Sequence, residues 1–363
     1  MRREDLNKEE EISGTSSEPI VRVVPFQPHC FAFGGFEVQM LAAMESARTV
    51  GVNIAPLDFW KREPDFDILH LWGMELQHCN TVKWAHLAGK KIVLSALTNY
   101  PSFYTWLRYI TSLVVGPARF RRAMLAQIDC ITVVNREQRR YLVKILGIPS
   151  EKVMVVPNLV EDIFFEVMDG TETEVLGIKN YVLCTGNICP RKNQLALVAA
   201  CRKLGVPLLL VGNVLTGEEK YGEAVAKAVA DGERCRWLRG MTPGSSGLAE
   251  AYRDASVFAL PSYSEQQPIS ALEAAASKKP LILANCPYAK QEFYEHAALA
   301  DPNSVDSIAN ALRKAFDRPD KYRPPTSIIE QCRKERVGGA YRAIYQHLAQ
   351  GKSDVAPENR TER

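Results

Sequence analysis

Short apolar, β-branched runs alternate with runs of helical spacing, and the alternation occurs twice along the chain. The first round has the strand-like runs IVRVVPF from Ile20, DILHLWG (67–73), KKIVLSAL (90–97), IDCITVVN (128–135) and EKVMVVPN (151–158). Between them, VQMLAAMESARTVG, MELQHCNTVKWAHLAG and REQRRYLVKILG have helical periodicity, and each stops at a glycine. The second round has the strands NYVLCTGN, VPLLLVGN, RCRWLRG, SVFALPS and PLILAN. Its helices are NQLALVAACRKLG, EAVAKAVADG, GLAEAYRDA, PISALEAAASKK and VDSIANALRKAFD. Strands that alternate with helices imply a parallel sheet, so the chain reads as α/β with two Rossmann-like, doubly wound halves. A length of 363 residues is comfortable for two such domains.

An acidic, irregular stretch from Leu159 to Asn180 separates the rounds and is the candidate linker. The expected domains are therefore 20–165 and 166–326. After a proline-rich break, Pro319 to Pro325, the amphipathic run 327–350 closes the chain. The polar ends, 1–19 and 351–363, read as disordered tails. The first has no apolar h-region, so no signal peptide is expected. No apolar run approaches the ~18 residues of a membrane span. The net charge of +3 is too small to argue for nucleic acid. Nine cysteines, an odd number with no C-x-x-C pair, suit free thiols in a reducing cytosol.

The stretch LPSYSEQQPISALEAAASKKPLI (260–282) carries two glutamates, Glu265 and Glu273, with seven residues between them. SVFALPS reads as a buried strand. Helix geometry should resume at Pro268, since proline suits a first helical position. Ile269, Ser270 and Ala271 then offer backbone N–H groups at a helix start, where anions bind. In a doubly wound sheet this junction lies at the carboxyl edge of the strands, the usual ligand crevice. Carboxylates beside an anion site make sense if they face hydroxyls. The arrangement suits a nucleotide sugar, with the diphosphate on the helix start, the ribose on Glu273 and the sugar on Glu265. Taken singly, each glutamate is more often a solvated surface residue; the strand–turn–helix junction is what marks the pair. CTGNICPRKNQ forms a second such junction. Gly186 permits a sharp turn, and Arg191 and Lys192 place cations where a diphosphate needs them.

Taken together, these elements resemble the donor domain of the retaining GT-B glycosyltransferases of family 4 (group 1). The E-x7-E element matches Glu265 and Glu273, and the basic loop matches GNICPRKNQ. LLLVGN matches the glycine-ended strand, and RGMTPGSSGLAEAYRDASVFALPS the "G…L…Y…A" passage. The ordered match covers about Tyr181 to Phe316. The first half is similar more loosely. FGGFEVQM resembles the glycine loop that approaches donor phosphate and acceptor, and the last run, with Tyr341 and Tyr345, the helix that crosses back to the first domain.

The resemblance implies a GT-B fold and transfer of a sugar, with retention, from a nucleotide-diphosphate sugar to an acceptor hydroxyl. It implies catalytic roles for Glu265, Lys192 and Arg191. It also implies donor contacts at Glu273, Gly186, Asn187, Ile269, Ser270, Ala271, Gly212 and Met241, with Gly34 and Gly35 as the acceptor and phosphate loop. No metal or other cofactor is expected. The sequence departs from the family in three places. Asn187 stands where an arginine is common, SALTNYPS replaces a frequent histidine with Thr98 or Asn99, and PNL replaces PNG. Asn187 and the missing histidine favour a second reading, a degenerate scaffold that binds a partner or nucleotide without turnover, while the intact Glu265, Lys192 and Glu273 argue against it. A phosphorylase or an epimerase is a third.

DFD at Asp65 to Asp67 fits the D-x-D pattern of metal-dependent glycosyltransferases, but it precedes a strand of the other half, where Asp67 is expected to cap the strand entry. His70, His78 and His86 have no ligand spacing. From Lys83 to Lys144 there are eleven Lys or Arg against two acidic residues. Within 100–122, Tyr104, Trp106, Tyr109 and Phe120 mix with Arg108, Arg119, Arg121 and Arg122, a composition that can lie on an anionic membrane. The expected partners are thus a nucleotide-sugar donor and a carbohydrate or lipid-linked acceptor, with peripheral membrane contact and no nucleic acid. The expected place is the cytoplasm, at the inner membrane face.

Overall fold

The computed structural model describes residues 18–31, 34–98, 100–101, 106–107, 116–166, 180–232 and 234–351. Most of the expected tails, part of the linker, Asn99 and much of 100–122 lie outside the described residues.

The first round folds as β1 (Ile20–Val24), α1 (Gly35–Thr49), β2 (Asn53–Pro56), β3 (Ile68–Trp72), α2 (Cys79–Leu87), β4 (Lys91–Ser95), α3 (Gly116–Ala126), β5 (Cys130–Val133), α4 (Arg136–Lys144) and β6 (Val153–Val155). The second continues with β7 (Tyr181–Thr185), α5 (Gln194–Leu204), β8 (Leu208–Val211), α6 (Glu219–Ala230), β9 (Cys235–Leu238), α7 (Ser246–Asp254), β10 (Ala255–Leu260), α8 (Ile269–Ala276), β11 (Leu281–Ala284), β12 (Ala298–Ala300) and α9 (Val305–Asp317). The end of the chain forms α10 (Thr326–Ile329) and α11 (Lys334–Ala349).

Each round gives a six-stranded sheet, ordered β2-β1-β3-β4-β5-β6 and β12-β11-β10-β7-β8-β9, with parallel pairing throughout. Two strands were not expected from the sequence. β2 has four residues and ends at Pro56, and β12 has three. Both lie at sheet edges, where short strands and proline are tolerated and alternation has no room to show.

In the second sheet the chain leaves β7 toward β8 on one side and β10 toward β11 on the other. The carboxyl ends of β7 and β10 therefore flank a switch point, where such sheets bind ligands.

Helix α11 returns to the first domain and packs on α1. Gly338 permits the approach, because a Cβ there would overlap the Ser46 carbonyl. Val337, Tyr341, Ile344 and Tyr345 complete the core on that face of the first sheet. His70 is part of this joint. Its Nδ1 lies 2.7 Å from the Tyr345 hydroxyl and its Nε2 2.8 Å from Ser95 Oγ. Burial pulls its pKa down to about 3, so it is a neutral structural link between strand and helix.

Candidate active site

The loops that follow β7, β8, β9 and β10 meet at the carboxyl edge of the second sheet. Gly186 turns the chain after β7 at φ +127°, and Gly212 turns it after β8 at φ +150°. The two turns pack against each other, and a Cβ on Gly212 would overlap the Gly186 carbonyl. The Trp237 indole donates to the Gly212 carbonyl at 2.8 Å and holds the second turn. A Cβ on Gly186 would lie 3.3 Å from Lys192 Nζ, so the ammonium sits directly under the first turn. Asn187 is exposed beside it.

Lys192 is buried, although it is a lysine, because Glu265 pairs with it. Glu265 Oε1 lies 2.9 Å from Lys192 Nζ and 2.8 Å from Arg191 Nη1. Arg191 is exposed, and its Nη1 also donates to the Ser264 carbonyl at 2.6 Å. Burial pushes the Glu265 carboxyl up, but the two cations outweigh it and hold it below the usual carboxylate range. The three residues expected from the sequence to act together thus form one cluster. A residue that the sequence reading did not single out sets the loop. Asn193 adopts a left-handed φ of +60°, and its amide donates to the Pro302 carbonyl at 2.8 Å and the Pro261 carbonyl at 3.3 Å. Asparagine tolerates that conformation better than other non-glycine residues, so the asparagine after Arg-Lys was the available signal.

Pro268 is the cap of α8 rather than its first residue, so Ile269 opens the helix. The Ala271 N–H donates to the Pro268 carbonyl at 3.1 Å, which leaves the Ile269 and Ser270 amides as the forward-facing pair. Glu273 lies deeper than a residue on an exposed helix face would. Tyr252 donates to its Oε2 at 2.7 Å, and the same hydroxyl lies 2.5 Å from Thr185 Oγ1 and 3.1 Å from the Ser270 carbonyl. Burial raises the Glu273 carboxyl to about 7, against the pull of the Tyr252 hydrogen bond. Tyr252 was visible in the sequence only as the tyrosine of the "G…L…Y…A" passage. Met241, in the loop between β9 and α7, packs half-buried against the core of the second domain.

Across the cleft, Gly34 caps α1 in extended conformation, and its N–H donates to Glu37 Oε2 at 2.9 Å. The α-carbon of Gly35 faces open space, so a ligand can approach the backbone there. The PNL departure has a simple basis. Leu159 is buried in the first domain's core and is not among the residues with positive φ, so no glycine is needed. Gln39 binds its backbone from both sides, accepting from the N–H at 2.9 Å and donating to the carbonyl at 3.3 Å. Thr98 is buried with its carbonyl on Gln138 Nε2 at 3.3 Å.

Asp65 and Asp67 serve structure. Asp65 pairs with Lys61 at 2.7 Å, and Asp67 accepts from the Ile20 N–H at 2.8 Å, which ties the entry of β1 to that of β3. Among the described residues no three His, Cys, Asp or Glu side chains come together as metal ligands.

A family model described as Glycosyl transferases group 1 matches residues 172–334, and one described as Glycosyltransferase Family 4 matches residues 37–162. Solved structures with this fold include a glycosyltransferase from Rickettsia africae ESF-5, at 14% identity, 92% of this chain, 99% of that chain and a TM-score of 0.68. HepE from Anabaena in complex with UDP aligns at 14% identity, 92% and 99% coverage and a TM-score of 0.65. Sucrose-phosphate synthase from Thermosynechococcus elongatus aligns at 18% identity, 92% and 98% coverage and a TM-score of 0.64. At these identities the likeness is one of fold. No curated protein sequence matches the chain.

Proposed function

The chain is a group 1 glycosyltransferase with the GT-B fold, and from that premise we propose that it moves a sugar, with retention, from a nucleotide-diphosphate sugar to an acceptor hydroxyl of a cell-surface polysaccharide or glycolipid. The observation that carries this reading is the Glu265–Lys192–Arg191 cluster at the switch point, beside the open amides of Ile269 and Ser270. UDP and UDP-glucose in complexes of the fold relative HepE support the choice of donor class.

In this scheme the bond from the anomeric carbon to the diphosphate oxygen breaks. The acceptor oxygen bonds to that carbon on the same face, and its proton passes to the departing diphosphate. No carboxylate acts as a covalent nucleophile. Lys192, Arg191 and the two helix amides stabilise the charge that builds on the leaving group, so no metal is required. Glu265 orders the two cations and accepts from a sugar hydroxyl, and Glu273 accepts from the ribose.

The test is a panel of UDP-, GDP- and ADP-sugars, read by calorimetry and nucleotide release, with the product anomer assigned by NMR. One nucleotide class should bind and turn over with its anomeric configuration kept. If no donor binds at millimolar concentration, a non-catalytic scaffold is the better reading; an inverted product would overturn retention.

The acceptor side points to a lipid surface in the cytoplasm. No helix among the described residues is long and apolar enough to cross a membrane. However, Phe120 on α3 is 66% exposed among exposed Arg119, Arg121 and Arg122, and Trp84 and Leu87 on the adjoining α2 are 64% and 65% exposed. Each arginine near an anionic surface contributes ~1 kcal/mol. The protein should therefore sediment with phosphatidylglycerol vesicles, and R121S/R122S should weaken that binding by about tenfold or more. Equal binding to phosphatidylcholine would count against an electrostatic contact.

A further inference from the structure

Two glutamines, Gln266 and Gln267, lie between Glu265 and the cap of α8. Their side chains leave the donor site and cross to the first domain. Gln267 is buried, and its amide is almost fully used. Its Oε1 accepts from the Asn158 N–H at 2.7 Å, and its Nε2 donates to the Val134 carbonyl at 2.9 Å and to Gln291 Oε1 at 3.1 Å. Its own carbonyl accepts from Asn158 Nδ2 at 2.8 Å. Beside it, the Gln266 carbonyl accepts from the Tyr100 hydroxyl, and its side chain from Gln138 Nε2. Val134 directly follows β5, and Asn158 follows β6 where the chain leaves the first domain. Gln267 therefore ties the exit of the first sheet, the start of the crossing segment and the second domain at one buried point.

We propose that Gln267 is a positioning residue that holds the acceptor domain in register over the donor site. It stands two residues from Glu265 and one from the cap whose following amides face the donor. Group transfer is steep in distance, and a displacement of about 1 Å can cost 10²-fold in rate. A buried amide with one acceptor and two donor bonds resists such displacement, because each group left unpaired is penalised. The nucleotide contacts proposed above, apart from the Gly34–Gly35 loop, lie within the second domain. Loss of the clasp should therefore spare nucleotide binding and harm domain register. This role presupposes the donor site proposed above.

The test compares wild type with Q267L by hydrogen exchange, by calorimetry with UDP, GDP and ADP, and by transfer to a panel of octyl hexosides. In Q267L, exchange should quicken at least tenfold at Asn158 and across 134–138, while amides of α5 and α9 keep wild-type rates. Affinity for the preferred nucleotide should stay within threefold, and transfer should fall at least tenfold. Unchanged protection at Asn158, or nucleotide affinity that falls in parallel with transfer, overturns the role. If Q267L does not fold, N158A removes one bond of the same clasp and should show the same pattern, smaller in size. If wild type binds none of the nucleotides, the donor reading fails, while the exchange arm still decides whether the clasp exists.

Discussion

Replacing Lys192 with methionine should lower nucleotide-sugar turnover by about 10²–10³-fold, the usual effect of removing one preorganised charge partner from a transition state. Methionine keeps most of the apolar stem, so the loss isolates the ammonium. That ammonium is buried under the Gly186 turn, where a charge acts more strongly than in water. It also holds Glu265, which would retain only Arg191, at 2.8 Å. A buried carboxylate that loses one of two cations is destabilised, so the variant should also unfold at lower temperature. The double variant K192M/E265Q should regain that stability and none of the activity. Nucleotide-release kinetics and thermal unfolding measured together separate the two effects. Turnover within tenfold of wild type would mean that Lys192 serves only to neutralise Glu265. Arg191 should matter less, because it is exposed and spends part of its donor capacity on the Ser264 carbonyl.

The parts of this site legible in the sequence are those fixed by local chemistry. Alternating strands and helices set both sheets, and the doubly wound order put the Gly186 and Glu265 loops at one crevice. The basic loop and the glutamate pair could be placed on their junctions for that reason. What was not legible depends on contacts between segments far apart in the chain. Gln267 meets Asn158 and Val134 across 109 and 133 residues, and nothing in QQ announces an interdomain bond. His70 reads as one histidine among six until Tyr345 of the returning helix reaches it. Leu159 looked like a lost glycine, yet its backbone conformation never required one. Glu273 was placed correctly on a helix, but its depth comes from Tyr252 and Thr185, which belong to other elements.

That depth leads to a second expected result: E273Q should be more stable than wild type at pH 8 and bind its nucleotide at least tenfold more weakly. The Glu273 carboxyl titrates at 4.5 when unfolded and about 7 when folded. Folding therefore takes up a proton between those values. Stability is full below about pH 4.5, declines as pH rises to about 7, and stays reduced above it. At 1.36 kcal/mol per unit, the penalty is on the order of 3 kcal/mol. Glutamine cannot ionise and still accepts from Tyr252, so it should recover part of that penalty at pH 8 and none at pH 4. Ribose hydroxyls, however, donate best to a charged acceptor. Wild-type affinity should accordingly rise from pH 6 to pH 8 as the carboxylate forms, while E273Q stays flat. Calorimetric titrations at both pH values, with unfolding scans at pH 4 and 8, test both halves. A residue that serves only structure should not gain stability when its charge is removed while losing ligand affinity. If E273Q is less stable at pH 8, or wild-type affinity does not change with pH, Glu273 is part of the core and not the ribose acceptor.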